Sequence, residues 1–138
     1  MVLRNYACQL LYGFADENTR SKLLLEALEL CILRYPMCKA IVLEYINTQL
    51  KNLDISEIDP NTVGTGREIY ELLRKRIAEE ASDRVSGGSS TTKEIIESVS
   101  RLTFYIVYTS LMATFDLFGI ECPVREMIHG RGLSRRHS

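Results

Sequence analysis

Only two histidines occur in the 138 residues, His129 and His137, both close to the C-terminal end. Nucleophilic catalysis by cysteine or serine needs a base within reach and a group to orient it, and the chain offers little from which to build such a set. It has no Gly-x-Ser-x-Gly elbow and no His-Glu-x-x-His pair. The stretch Gly64-Thr-Gly66-Arg67 lacks the Lys-Ser/Thr ending of a phosphate-binding loop, and a turn followed by a helix cap accounts for it. The carboxylate pairs Glu79-Glu80 and Glu26/Glu29 sit on solvated helix faces among lysines and arginines. The expectation is a non-enzymatic protein with no cofactor and no metal.

Long apolar runs are also missing. From Leu102 to Phe115 fourteen residues pass without a charge, short of the ~20 apolar residues that cross a bilayer. Thr103, Thr109, Ser110 and Thr114 interrupt this run with hydroxyls. No membrane span is expected. Met1-Val-Leu-Arg4 is followed at once by Asn5, which leaves no apolar region for a signal peptide. The four cysteines, Cys8, Cys31, Cys38 and Cys122, are widely spaced and lie in or beside apolar segments. An intracellular protein, cytoplasmic or nuclear, with reduced and buried thiols is the expectation. Cys31, Cys38, Cys122 and His129 have the ligand chemistry for zinc. Their gaps of six intervening residues exceed the two to four usual in structural sites, so buried thiols are preferred.

What the chain does have is helical periodicity, with no sustained period-two alternation. Leu3, Tyr6, Ala7, Leu10, Leu11 and Phe14 share a face of a first short helix, about 2–14. A second helix, about 19–35, is apolar except for the stripe Lys22, Glu26 and Glu29. Within it, Leu25-x-x-Leu28-x-Leu30 matches a loose export pattern, which core packing explains as well. A third helix, about 36–53 with Pro36 in its first turn, places Val42, Ile46, Leu50 and Leu53 inward and Lys39, Glu44, Asn47 and Lys51 outward. A polar connector, 54–64, with room for one short turn, leads to Thr65-Gly-Arg-Glu68, a capping box. The fourth helix then runs to about Val85, with Ile69, Leu72, Leu73, Ile77, Ala81 and Val85 on its core side.

Ser86-Gly-Gly-Ser-Ser90 is a flexible break of native or engineered origin. Thr91-Thr-Lys-Glu94 forms a second capping box and launches a long helix, 91–118, ended by Gly119. A last short helix, 123–129, precedes a basic tail, 131–138. The fold class is therefore all-α: one domain, 1–130, as a bundle of five or six helices around a long apolar central helix, with a flexible tail at 131–138.

Net charge is -1, unevenly distributed. Residues 122–138 carry four arginines and one glutamate, while the remainder is acidic. Such asymmetry makes Arg125, Arg131, Arg135 and Arg136 candidate polyanion-binding residues, although no aromatic residues are interleaved for base stacking. The second helix and the helix after Leu102 carry more apolar surface than three shorter amphipathic helices readily cover, and such an excess marks interfaces. The leading expectation is a protein-protein interaction module of the small regulatory or viral accessory type, a homodimer with a groove for a partner's amphipathic helix. Tyr105, Tyr108, Met112 and Phe115 are its candidate anchors. The alternative is an RNA- or DNA-binding regulatory protein using the basic end. Asp116 either marks the face where the long helix meets water, or is partly buried and pairs with Arg125 or makes an N-cap-like contact to the last short helix.

Overall fold

A computed structural model describes residues 17–85 and 92–119. Among the described residues every regular element is helical: α1 (Glu17–Arg34), α2 (Cys38–Asn52), a single 3-10 turn (Pro60–Thr62), α3 (Gly66–Val85) and α4 (Thr92–Phe118). The all-α class holds, with four α-helices in this range where five or six were expected for the chain. The expected short helices at 2–14 and 123–129 and the tail 131–138 lie outside the described residues, as does Thr91 of the second capping box.

The helix boundaries have local causes. Pro36 does not open α2 as expected. It sits in a turn in which the Cys38 amide donates to the Tyr35 carbonyl at 2.8 Å and the Lys39 amide to the Pro36 carbonyl at 3.2 Å, so the helix begins two residues later. At the far end of α2, Asp54 takes a left-handed conformation (φ 59°). Its amide donates to Lys51 O at 3.1 Å, and the Ile55 amide reaches Leu50 O at 2.9 Å. This satisfies the last carbonyls of the helix in the manner usually reserved for glycine. The box at the start of α3 forms as expected: the Glu68 amide donates to Thr65 Oγ1 at 3.1 Å, while Glu68 Oε1 accepts from the Thr65 amide at 3.1 Å and from the Gly64 amide at 2.6 Å. Gly119, with φ +65°, ends α4.

The core is continuous. Leu24, Leu28, Leu43, Ile46, Leu50, Ile69, Leu73, Ile106 and Leu111 are fully enclosed, and α4 packs against each of the other three helices. Its uncharged run tolerates burial because the hydroxyls stay within their own helix. Thr103 Oγ1 donates to Val99 O at 2.7 Å, Thr109 to Tyr105 O at 2.9 Å and Thr114 to Ser110 O at 2.9 Å. Each hydroxyl thereby avoids the desolvation cost of an unpaired polar group.

The connector is part of this core and not the exposed link its polarity suggests. Ile55, Ile58 and Val63 are buried. Asn47, expected to point outward, is half-buried and holds Ile58 at both ends: Nδ2 donates to Ile58 O at 2.9 Å and the Ile58 amide donates to Oδ1 at 2.7 Å. Arg76 Nη1 donates to the carbonyls of Ser56 (2.8 Å) and Glu57 (2.6 Å), tying the same segment to α3.

Cross-helix contacts fix which ends lie together. Gly66 abuts the backbone of Glu29, and Arg67 pairs with Glu29 at 3.6 Å. Lys39 is near enough to Glu68 to act on its carboxyl. Hence the end of α1 and the starts of α2 and α3 share one end of the bundle. Gln49, near the end of α2, donates to Ile106 O (3.3 Å), Thr109 Oγ1 (2.9 Å) and Ser110 Oγ (3.0 Å). These bonds fix the register of α2 against the middle of α4.

Candidate functional site

Glu71, Arg74, Lys75, Ala78 and Ser82 stand at i, i+3, i+4, i+7 and i+11 along α3, and so share a face. Thr92, Ile95, Ile96, Val99 and Ser100, at i, i+3, i+4, i+7 and i+8, share a face of α4. The two faces enclose a cleft of about 550 Å³. Val99 is buried at its base, Ile95 and Ala78 are half-covered, and Ile96 stands in its mouth with 59 % of its surface exposed. A branched aliphatic side chain so open beside an apolar floor is the arrangement that an incoming apolar group would complete.

The rim is cationic. Arg74 and Lys75 are exposed, and the one carboxylate of the lining, Glu71, already faces Arg67 at 3.8 Å on the same helix. Ser82, Thr92 and Ser100 add hydroxyls. The cleft thus offers apolar contact, two positive charges and neutral hydrogen-bonding groups.

The residues expected to form a binding row separate in the structure. Tyr105 is exposed (55 %). Tyr108, Met112 and Phe115 are turned inward, none more than 9 % exposed, and Tyr108 stacks on Phe104 with ring centroids 6.0 Å apart. The cause is the position of α4 among three neighbours: from Arg101 to Asp116 only Arg101, Tyr105 and Asp116 are exposed, and the other three positions point at the core. In this conformation they are packing residues of the chain itself. Asp116 is exposed. Its suggested partner Arg125, and with it Arg131, Arg135 and Arg136, lies outside the described residues.

Cys31 and Cys38 are free and fully buried. Burial pushes the Cys38 thiol above its ordinary value, and a hydrogen bond with Cys31 opposes this in part. Cys122 and His129 lie outside the described residues, and no group of three or more His, Cys, Asp or Glu placed to hold a metal occurs among those described. The Tyr70 phenol is likewise raised by burial, against the opposing effects of a hydrogen bond with Ser21 and the nearby Arg74 charge. The amides of Gly64 and Thr65 hold the Glu68 carboxyl below its ordinary value, with Lys39 adding a smaller attraction.

Leu33, Tyr35 and Met37 around the α1–α2 turn are exposed, as are Leu117 and Phe118 at the end of α4. No helix among the described residues is long and apolar enough to cross a membrane. Comparison of the chain with protein-family models, with curated proteins and with solved structures finds no match.

Proposed function

We propose that this chain is a non-catalytic protein-interaction module whose α3–α4 cleft receives an amphipathic helix from a partner. The observation that carries the reading is Ile96, more than half exposed over a floor of Ile95, Val99 and Ala78. From Glu71 to Ser82 the cleft runs eleven residues along α3, ~16 Å or three helical turns. That length suits the i, i+3/i+4, i+7 anchors of a helix lying in a groove. Arg74 and Lys75 on the rim favour acidic residues flanking the partner's apolar face.

Two fluorescein-labelled helical peptides with the same leucine face, one flanked by glutamates and one by lysines, provide the test by fluorescence polarisation. The acidic peptide is expected to bind more tightly, and Ile96→Glu to weaken it at least ~10-fold, or ~1.4 kcal/mol. Equal binding of both peptides, or binding indifferent to Ile96→Glu, refutes the assignment. Nucleic-acid binding through Arg125, Arg131, Arg135 and Arg136 is the competing proposal. It requires RNA affinity that falls steeply with salt.

A further inference from the structure

The α3–α4 cleft is polarised along its length. Only six residues separate Val85 at the end of α3 from Thr92 at the start of α4, so the two packed helices run antiparallel. Counting outward from that connection sets Ser82 level with Ile95, Ala78 level with Val99, and Arg74 and Lys75 one turn further, past Ser100. The hydroxyls of Ser82 and Thr92 thus stand at the connection end, Ala78, Ile96 and Val99 make an apolar middle, and two cations mark the far end. Neither Arg74 nor Lys75 forms an ion pair among the described residues, whereas Glu71 beside them faces Arg67 at 3.8 Å. Adjacent surface cations are ordinary by themselves. Here they close one end of an apolar channel in which Ile96 is uncovered.

A charged end followed by an apolar channel is the outline of an anionic amphiphile. From Arg74 to Ser82 is eight residues, ~12 Å of helix. With carbon–carbon bonds of ~1.5 Å an extended alkyl chain advances roughly 1.3 Å per carbon, so about nine carbons span that distance. The cleft volume of about 550 Å³ lies within the ~300–1,000 Å³ of small-molecule sites. We propose that the cleft binds a single-chain fatty carboxylate, its head at Arg74, Lys75 and the Ser100 hydroxyl and its chain along Ala78, Val99 and Ile96. A guanidinium can give a carboxylate two parallel N–H bonds, and the lysine ammonium adds a second positive charge. A neutral chain would leave both cations unanswered, and a cationic one would be repelled. The inference rests on the cleft of the helix-binding reading and adds a ligand that competes with the helix for it.

Heteronuclear NMR titration of the full chain with nonanoate tests this. Saturable shifts are expected at the Ala78, Ile96 and Val99 amides, with a dissociation constant below about 1 mM. Pentanoate, shorter by four methylenes, should bind at least ~10-fold more weakly, since each fully buried methylene is worth ~4-fold. Nonanol, which lacks the charge, should bind ~5-fold more weakly than nonanoate. Arg74→Gln combined with Lys75→Gln, both at exposed positions, should weaken nonanoate ~5-fold and leave nonanol unchanged, a difference that a merely structural role would not produce. No shift at ~1 mM nonanoate overturns the inference, as do equal affinities for the acid and the alcohol. Shifts centred on Leu33–Met37 or Leu117–Phe118 instead of the cleft overturn it too. Nonanoate binding without any binding of the glutamate-flanked peptide keeps this site and removes the helix reading, and peptide binding without nonanoate does the reverse.

Discussion

Substituting Gly66 by alanine probes how closely α1 and α3 approach. A β-carbon built on Gly66 lies 2.8 Å from the Glu29 amide nitrogen, 2.9 Å from its Cα and 3.0 Å from its Cγ. Relaxed carbon contacts are ~3.5–4.0 Å, and two of these three atoms are backbone, which no rotamer change can move. The first turn of α3 must therefore shift by roughly 0.5–1 Å, drawing on the 3.6 Å Arg67–Glu29 pair and on the capping box beside it. Overpacking of this kind costs ~1–3 kcal/mol, and the better helical propensity of alanine returns ~0.5–1 kcal/mol. The net expectation is a loss of ~1–2 kcal/mol, read as a lower urea midpoint at unchanged slope and a melting temperature lower by roughly 4–8 °C. Gly64→Ala is the control. Its added carbon meets only Glu68 Oε1, at an ordinary contact distance of 3.4 Å, so its effect should stay within ~0.5 kcal/mol. A Gly66→Ala variant as stable as the wild type would refute the close approach.

Asn47→Ala leaves the Ile58 amide and carbonyl half-buried without their side-chain partner. It should cost ~2 kcal/mol in a urea titration, and a loss below ~0.5 kcal/mol would mean that water replaces the clamp. Asp54→Gly should raise stability by about 0.5 kcal/mol, because glycine adopts the left-handed φ of 59° without strain; a destabilised variant would contradict this. Glu68 has a depressed carboxyl in the folded state. Its contribution is thus complete above the unfolded carboxyl value of ~4.3 and is lost as pH falls through the lower folded value. Glu68→Gln should flatten the acid limb of the stability curve, and an unchanged limb would argue against the cap. Cys31 and Cys38, both enclosed, should resist iodoacetamide in the native state and label on unfolding, as peptide mass mapping would show; rapid native labelling of either contradicts their burial.

Helical period was enough to read the four described helices and their cores, because Val42, Ile46 and Leu50, or Ile69, Leu73 and Ile77, repeat at the spacing that one buried face requires. The Thr65–Glu68 cap was equally legible, being a local interaction between residues three apart. Long-range features were not. Ile55, Ile58 and Val63 lie in a segment broken by Pro60 and Gly64, too short to show a periodic face, so nothing local distinguishes them from exposed connector residues. Asn47 reads as a surface position until a connector carbonyl arrives beside it. The need for glycine at 66 exists only once Glu29 is placed against it. The same limit applies to the candidate site. A run without charges reveals that α4 is enveloped, but not which narrow stripe escapes, so Tyr108, Met112 and Phe115 were grouped with Tyr105. Ile96 shares the spacing of Ile95 and Val99, and only the divergence of α3 from α4 leaves it in the open.

The threonines of α4 direct their hydroxyls back along their own helix, and this has a consequence for uniqueness. A helix that satisfies its polar groups internally presents a smooth, nearly interchangeable surface to its neighbours, and sliding by one turn of ~5.4 Å would forfeit little apolar contact. Gln49 breaks that degeneracy. Its amide meets Ile106 O, Thr109 and Ser110 in one register alone. Gln49 acts as a detent in an otherwise slippery seam: replaced by leucine it would deprive the buried Ser110 hydroxyl of its partner, at a cost of about 1 kcal/mol, and the single set of sharp core resonances expected in an NMR spectrum would give way to several.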